Sequence, residues 1–191
     1  MSHFKVNERD IYFILKEQLN YGDLCKYDKY RDLDVETLDM LVAEAVKFAT
    51  GVVSPLQEPG DRHGVIFDGG TIRCAQGFRE VFSLYGENGW LAATSDPEYG
   101  GQGFPGTMGV VISDLMYGAC LSFNMAPSLT HGAAHLIESF GAKEHRERYI
   151  PKMYGGKWSG TIPDYSAGKQ RKVCSVGQPH DMVKEIDRYR G

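Results

Sequence analysis

Residues 98–106 read EYGGQGFPG, and the interpretation of this stretch decides the fold of the chain. Gly101, Gly103 and Gly106 fit the spacing G-x-G-x-x-G, which in dinucleotide-binding proteins forms the turn that holds a pyrophosphate. That site needs a strand before the loop, a helix that opens at the loop, and an acidic residue about 20 positions later. The glycines therefore predict a parallel α/β sheet only if their neighbours supply this context.

The neighbouring residues do not supply it. The preceding stretch, WLAATSDPEY, contains Asp96 and Pro97, which interrupt a strand, and Pro105 lies inside the glycine pattern. About 20 residues later, the segment 122–125 contains no acid. We therefore interpret the glycines as a tight turn between two helices, where a missing side chain permits sharp bends and close approach of the backbone.

Apolar residues at helical spacing predict helices on both sides of this loop. The predicted helices cover residues 7–22, a segment from 34 to the stretch before Pro55 and Pro59, and residues 77–87, 107–121, 127–140 and 142–149. Asp34 is a good N-cap, and Gly141 lies where a C-terminal glycine is expected. Residues 65–67 fit one arm of a hairpin or an ordered loop equally well. We expect an all-α fold, a helical bundle followed by an irregular tail over residues 162–191.

Composition narrows the classes of function. The net charge of −4 provides no basic surface for nucleic acid, which is therefore not an expected partner. No apolar run approaches the roughly 20 residues that span a bilayer, and the polar start MSHFKVNERD does not resemble a signal peptide. The four cysteines form no C-x-x-C pair, so we expect free thiols in a reducing compartment and a cytoplasmic protein.

His131 and His135 form a pair of side chains with metal-ligand spacing. They lie four residues apart on a predicted helix, but Gly132 stands where the H-E-x-x-H motif requires glutamate, and no third ligand is evident. Either the pair binds a metal, or one histidine packs inside and the other lies at the surface. We predict no metal site, and no motif identifies a nucleophile.

Two longer stretches resemble a known family. The stretch GWLAATSDPEYGGQGFP, at 89–105, and SFNMAPSLTHGAAHLIESFGAKEHRERYIPKMYGGKWSGT, at 122–161, resemble the N-terminal helical domain of acyl-CoA dehydrogenases. The shared motifs are the P-E-x-G-G-x-G loop, the F-G pair at 140–141, the segment 149–153 and the pattern G-x-x-x-G-T. The start, FKVNERDIYFILKEQLNYGDL, is similar to the extra segment of a large-subunit subgroup that includes the methylthiopropanoyl-CoA dehydrogenases.

The resemblance implies a division of the chain and a departure from the family. We expect an N-terminal extension helix and linker at 1–33, the helical domain at 34–161, and an irregular tail at 162–191. After Thr161 the family continues with a T-E-P segment that opens a flavin-contacting β-domain, whereas this chain reads IPDYSAGKQRKV. We therefore expect a truncated family member that is inactive as this chain alone. The alternative is a non-enzymatic helical interaction module or a degenerate remnant.

The resemblance also implies a chemistry and a site. The family uses FAD to oxidise the Cα–Cβ bond of acyl-CoA thioesters in fatty acid metabolism, and its N-terminal domain forms part of the acyl pocket without supplying the catalytic base. By resemblance, the substrate-binding candidates are Tyr99, Gly100, Gly101, Ser128 and His131. Ordinary helix packing is the alternative for the last two. No catalytic residue is assigned, FAD is not expected to stay bound to this chain, and uncovered apolar faces favour self-association.

Overall fold

The computed structural model describes residues 4–69 and 71–160. Within these residues the chain forms seven α-helices and one two-stranded hairpin. The elements are α1 Glu8–Tyr12, α2 Val35–Phe48, α3 Gln57–His63, β1 Ile66–Asp68, β2 Thr71–Arg73, α4 Phe78–Glu87, α5 Gly106–Ala119, α6 Leu121–Phe140 and α7 Lys143–Tyr154. The predicted all-α fold class is confirmed, and the predicted tail over residues 162–191 lies outside the described residues.

The N-terminal segment packs against α2. Helix α1 continues as a wide π-helical turn over Phe13–Gln18, and two short 3₁₀ turns follow at Tyr21–Lys26 and Asp28–Tyr30. The buried Tyr21 hydroxyl donates a hydrogen bond to the Asp39 carboxylate on α2, which also pairs with Lys16. This contact anchors the segment on the domain surface, where a small cluster is buried that comprises Leu15, Tyr21, Leu38, Val42 and Met108.

The prediction that Pro55 and Pro59 end the second helix is wrong. Helix α2 gives way to a π-helical turn at Ala49–Val53 and a 3₁₀ turn at Ser54–Leu56, after which α3 runs to His63. Both prolines lie in the first turn of their own element, where the missing N–H has no intrahelical partner in any case. They therefore redirect the helical path without interrupting it.

The hairpin interpretation of residues 65–67 is confirmed. Strands β1 and β2 pair in antiparallel register, with Ile66 opposite Arg73 and Phe67 opposite Ile72. All residues of both strands are exposed.

Helix α6 begins at Leu121, six residues before Pro127, where the sequence pattern placed its start. The boundary prediction was wrong because tertiary packing stabilises the additional turns. Phe123 is buried in edge-to-face contacts with Phe78 and Tyr85, at centroid distances of 5.6 and 6.1 Å. Such aromatic contacts contribute roughly 0.5–1.5 kcal/mol each beyond burial, which offsets part of the cost of an interior proline.

Helix α7 also extends further than predicted. It runs to Tyr154, three residues past Pro151, where the sequence pattern placed its end. Ile150, Met153 and Tyr154 are buried against α6, so the last turn is held by packing that the polar sequence of this helix does not reveal. None of the helices in the described part of the chain is both long and apolar enough to cross a membrane.

Candidate functional site

A cleft of about 560 Å³ opens between α5, α6 and the residues that precede the glycine loop. Its walls combine apolar side chains, which exclude water, with hydroxyl, amide, imidazole and carboxylate groups. The lining comprises Tyr85, Trp90, Leu91, Ala93, Thr94, Gly106, Gly109, Val110, Ile112, Ser113, Asp114, Tyr117, Asn124, Pro127, Ser128 and His131. Such a concave, mixed surface with a few polar groups is typical of a small-molecule site.

Two of the predicted site residues, Ser128 and His131, lie together on the α6 wall of this cleft. The Ser128 hydroxyl donates to the carbonyl oxygen of Met125 at 3.3 Å. His131 Nδ1 lies 2.9 Å from the carbonyl oxygen of Leu91 and must carry a proton to donate to it. That bond ties α6 to the segment before the loop and fixes the orientation of the imidazole.

The base of the cleft is held by Asn124. Its side-chain amide donates to the carbonyl oxygens of Met116 and, at 3.0 Å, of Cys120. Each carbonyl also accepts a backbone N–H at 3.1 Å, from Cys120 and from Asn124 respectively, so the side-chain amide adds a second bond to each. A buried amide thus fixes the α5–α6 corner below the cleft.

The backbone of the glycine loop is bonded to the segment that precedes it and offers no phosphate cradle. The N–H groups of Gly101, Gln102, Gly103 and Phe104 donate to the carbonyls of residues 96, 92, 95 and 93, at 2.9–3.0 Å. In a dinucleotide site, N–H groups of this kind remain free to meet the pyrophosphate. The segment before the loop forms a 3₁₀ turn at Trp90–Ala92 instead of a strand. The interpretation as a turn between helices is confirmed.

The other three predicted site residues are not among the residues that line the cleft. Tyr99 packs against the buried cluster that contains Ile150, Met153 and Tyr154 of α7. Gly100 is exposed with a left-handed φ of 91°, and Gly101 lies against the backbone of Ser95. The structure therefore brings Ser128 and His131 together but not these three with them. A substrate role for all five residues stays a prediction.

A second cavity of about 380 Å³ lies beside the cleft. It is lined by the charged or ionisable side chains of Lys29, Asp96, His135 and Glu138, among others. His135 Nδ1 lies 3.9 Å from the Glu138 carboxylate. This cavity is therefore more ionic than the cleft.

Glu138 is a residue that the sequence pattern did not identify. Its carboxylate accepts a 2.6 Å hydrogen bond from the Tyr154 hydroxyl on α7 and a 3.3 Å bond from the backbone N–H of Asp96. Burial, and then the bond to Glu138, raises the pKa of Tyr154 above its usual value. One carboxylate thus joins α6, α7 and the segment before the glycine loop, although these partners are 16 and 42 residues away in sequence.

The histidine pair has a different geometry from a metal site. The rings of His131 and His135 are nearly parallel, with centroids 6.2 Å apart, and His131 already uses Nδ1 on the Leu91 carbonyl. Over residues 4–69 and 71–160, no group of three or more histidine, cysteine or acidic side chains is arranged to hold a metal ion.

Comparison with known proteins fits this architecture. Residues 35–157 match the family model for the acyl-CoA dehydrogenase N-terminal domain. The chain belongs to the acyl-CoA dehydrogenase family. The matched residues run from the start of α2 into the turn after α7, so they include both walls of the cleft and the glycine loop.

Individual relatives of this acyl-CoA dehydrogenase family member are longer proteins. A 3-methylmercaptopropionyl-CoA dehydrogenase of Ruegeria pomeroyi is 25% identical over 93% of this chain and 31% of its own length. A butyryl-CoA dehydrogenase of Syntrophomonas wolfei is 30% identical over 88% of this chain and 28% of its own length. The chain thus spans about three tenths of the length of the curated relatives it matches.

A solved structure supports the fold. A chain from the structure of the electron transferring flavoprotein of Acidaminococcus fermentans superimposes with a TM-score of 0.55 at 22% identity. The match covers 68% of this chain and 32% of the other. At this identity the likeness concerns the fold.

Proposed function

We propose that this chain is the N-terminal helical part of an acyl-CoA dehydrogenase and that the cleft between α5 and α6 forms part of its acyl site. The observation that carries the proposal is the position of the cleft: both of its helices lie inside the residues matched by the family model. The substrate class is an acyl-CoA thioester. Reaction, substrate and cofactor are those that the family membership suggests.

The contribution of the cleft is to exclude water and to orient the acyl group. Leu91, Ala93, Ile112 and Pro127 are buried and give it apolar surface, which suits an aliphatic chain. A dry site strengthens every electrostatic interaction on the thioester and protects the reacting carbons from side reactions. Ser128 would meet the more polar part of the acyl-CoA, and His131 would contact the acyl group.

Two parts of the reaction are not assigned to the described residues. The family uses FAD as hydride acceptor, but the glycine loop does not fit its pyrophosphate because the N–H groups of residues 101–104 are already bonded to backbone carbonyls. We also assign no carboxylate in the described part of the chain as the base that removes the α-proton of the thioester. We therefore propose that this chain alone neither retains FAD nor turns over substrate.

Turnover is tested directly. The purified chain is incubated with FAD, an electron-acceptor dye and acyl-CoAs of several lengths. We expect no bleaching of the dye above the rate measured without acyl-CoA. Steady, acyl-CoA-dependent bleaching would overturn the proposed inactivity.

Binding is tested through tryptophan fluorescence. The chain has two tryptophans: Trp90 lines the cleft, whereas Trp158 packs under Lys152 on α7, with Nζ 4.1 Å from the ring centroid. In a Trp158→Phe variant, only Trp90 reports. We expect butyryl-CoA to change its emission saturably. Free N-acetyltryptophanamide serves as the control for light absorption by adenine. A Trp90 signal that never responds to any acyl-CoA would overturn the acyl site.

A non-enzymatic interaction module is the second candidate, and the surface of α6 favours it. Leu121, Met125, Leu136 and Phe140 are 59, 50, 58 and 82% exposed on this one helix. Exposed apolar surface of this kind promotes association. Sedimentation at several concentrations tests this. We expect self-association that a Leu136→Lys, Phe140→Lys double variant abolishes, and a monomer at every concentration would contradict it.

We place the protein in the cytoplasm. Cys25 and Cys120 are free thiols, which is the usual state in a reducing compartment. Fractionation of the source cells checks this placement.

A further inference from the structure

The cleft and the second cavity meet at two residues. Thr94, from the segment before the glycine loop, and His131, from α6, line both. No other residue is common to the two linings within the described part of the chain. These two side chains therefore form a partition between a cleft of about 560 Å³ and a cavity of about 380 Å³.

Both halves of the partition are held in place. His131 is fixed by its 2.9 Å bond to the Leu91 carbonyl and by stacking against the Tyr154 ring, at a centroid distance of 6.4 Å and an angle of 27° between the ring planes. Thr94 occupies space that Gly109 leaves open, since a Cβ at that glycine would lie 2.8 Å from Thr94 Cγ2. The partition is thus a fixed feature of the fold and not two surface side chains that happen to meet.

The two sides of the partition differ chemically. The cleft has mainly apolar walls with one acidic side chain, Asp114, whereas Lys29, Asp96 and Glu138 all line the second cavity. An aliphatic chain that entered the second cavity would displace water from charged groups without replacing its hydrogen bonds. A chain with a hydroxyl at its far end could replace some of them.

We propose that His131 and Thr94 form the end wall of the acyl site and restrict it to short acyl groups. The charged cavity behind the wall is a second barrier, which acts against plain aliphatic chains in particular. Substitutions that open the wall should therefore raise the affinity for longer acyl groups. The increase should be larger for acyl groups with a polar far end than for plain aliphatic ones. This inference rests on the proposed function, because it assumes that acyl-CoA enters the cleft.

The opening variants are chosen to keep the fold. His131→Asn removes most of the ring, yet its side-chain amide can occupy the place of Nδ1 and donate to the Leu91 carbonyl. Thr94→Ala shortens the other half of the wall and provides an independent variant if the first does not fold. His135→Asn is the matched control: it makes the same change one turn further along α6, at a residue that lines only the second cavity.

The assay is a titration of Trp90 fluorescence in the Trp158→Phe background with butyryl-CoA, octanoyl-CoA and 8-hydroxyoctanoyl-CoA. We expect the unmodified wall to favour butyryl-CoA over both longer ligands. In His131→Asn and in Thr94→Ala, the affinity for 8-hydroxyoctanoyl-CoA relative to butyryl-CoA should rise at least about fivefold, the value of one added hydrogen bond. The affinity for octanoyl-CoA relative to butyryl-CoA should rise less, and His135→Asn should leave both ratios unchanged.

The outcomes separate this inference from the proposed function. If butyryl-CoA binds but neither opening variant changes the ratios, the end wall is refuted and the acyl site stands. If His135→Asn changes the ratios as much as His131→Asn, the effect is not local to the wall and the inference is refuted. If no acyl-CoA changes the fluorescence of any variant, both the acyl site and its end wall are refuted.

Discussion

Replacing Gly101 with alanine tests the conformation of the glycine loop most directly. A Cβ at this position would lie 2.1 Å from the carbonyl oxygen of Ser95 and 2.3 Å from its carbonyl carbon. Both atoms belong to the backbone, so no side-chain rotation can relieve the contact. The loop must move away from the segment that precedes it.

The structure gives the magnitude. Forcing an extra methyl group into a packed region costs typically 1–3 kcal/mol. The movement also strains the hydrogen bonds that Gly101 and Gly103 donate to Asp96 and Ser95, each 3.0 Å long, and each such bond contributes roughly 1 kcal/mol. We therefore expect Gly101→Ala to lower the free energy of unfolding by about 4 kcal/mol, from these overpacking and hydrogen-bond values.

Urea unfolding followed by circular dichroism measures this loss. With a denaturant slope of about 2 kcal/mol per M, the midpoint should fall by about 2 M. Gly106→Ala is the matched control. A Cβ at Gly106 has no atom within 4 Å, and this residue is the first of α5. Because alanine favours a helix over glycine by roughly 1 kcal/mol, the control should match or slightly exceed the unmodified protein.

Two results would refute this reasoning. A Gly101→Ala midpoint within about 0.3 M of the unmodified protein, far below the shift expected from overpacking, would mean that the loop does not lie against Ser95 as described. Equal losses for the alanines at 101 and 106 would mean that the loop needs glycine for flexibility and not for space.

The remaining predictions concern single contacts. Glu138→Ala should cost about 2 kcal/mol in urea unfolding, because the buried Tyr154 hydroxyl loses its acceptor, and Glu138→Gln, which keeps an acceptor, should cost less. Burial raises the pKa of Tyr85 and of Tyr154 above the usual value near 10, so the folded state favours the protonated phenols. Their contribution to stability is complete below about pH 10 and is lost as the pH rises further, and equal urea midpoints at pH 9 and pH 11 would contradict this. The hydrogen bond from the Thr37 N–H lowers the pKa of Asp34, so that its contribution as N-cap is present above about pH 4 and lost in acid. Asp34→Ala should accordingly lower the melting temperature at pH 7, and Asp34→Asn should recover most of this loss. If the melting temperatures of the unmodified protein and of Asp34→Ala differ by as much at pH 2 as at pH 7, the charged cap is contradicted.

Local sequence predicted the helices whose ends are determined locally. Helix α4 was predicted at 77–87 and forms at 78–87, and α5 was predicted at 107–121 and forms at 106–119. The errors lie where distant contacts decide. Phe123 adds two turns to the start of α6 by packing on aromatic rings from α4, and Tyr154 extends α7 by bonding to Glu138. Periodicity within one segment contains no information on such partners.

The same limit applies to the cleft. Ser128 and His131 were identified through the family resemblance, and the structure places both on one wall. Thr94 and the Leu91 carbonyl, which complete that wall, could not be found from the sequence. They lie 37 and 40 residues from His131 in the chain, and only the packing of α6 on the segment before the loop brings them together.

The three glycines of the G-x-G-x-x-G pattern occupy their positions for different reasons. Gly101 is required because the backbone of Ser95 leaves no room for a side chain. Gly103 adopts a left-handed φ of 67°, which side chains disfavour. Gly106 faces open space at the start of α5 and has neither constraint. In a dinucleotide site the three positions serve one ligand, whereas here no shared cause connects them. The spacing is therefore a coincidence of a turn, a close backbone contact and a helix start.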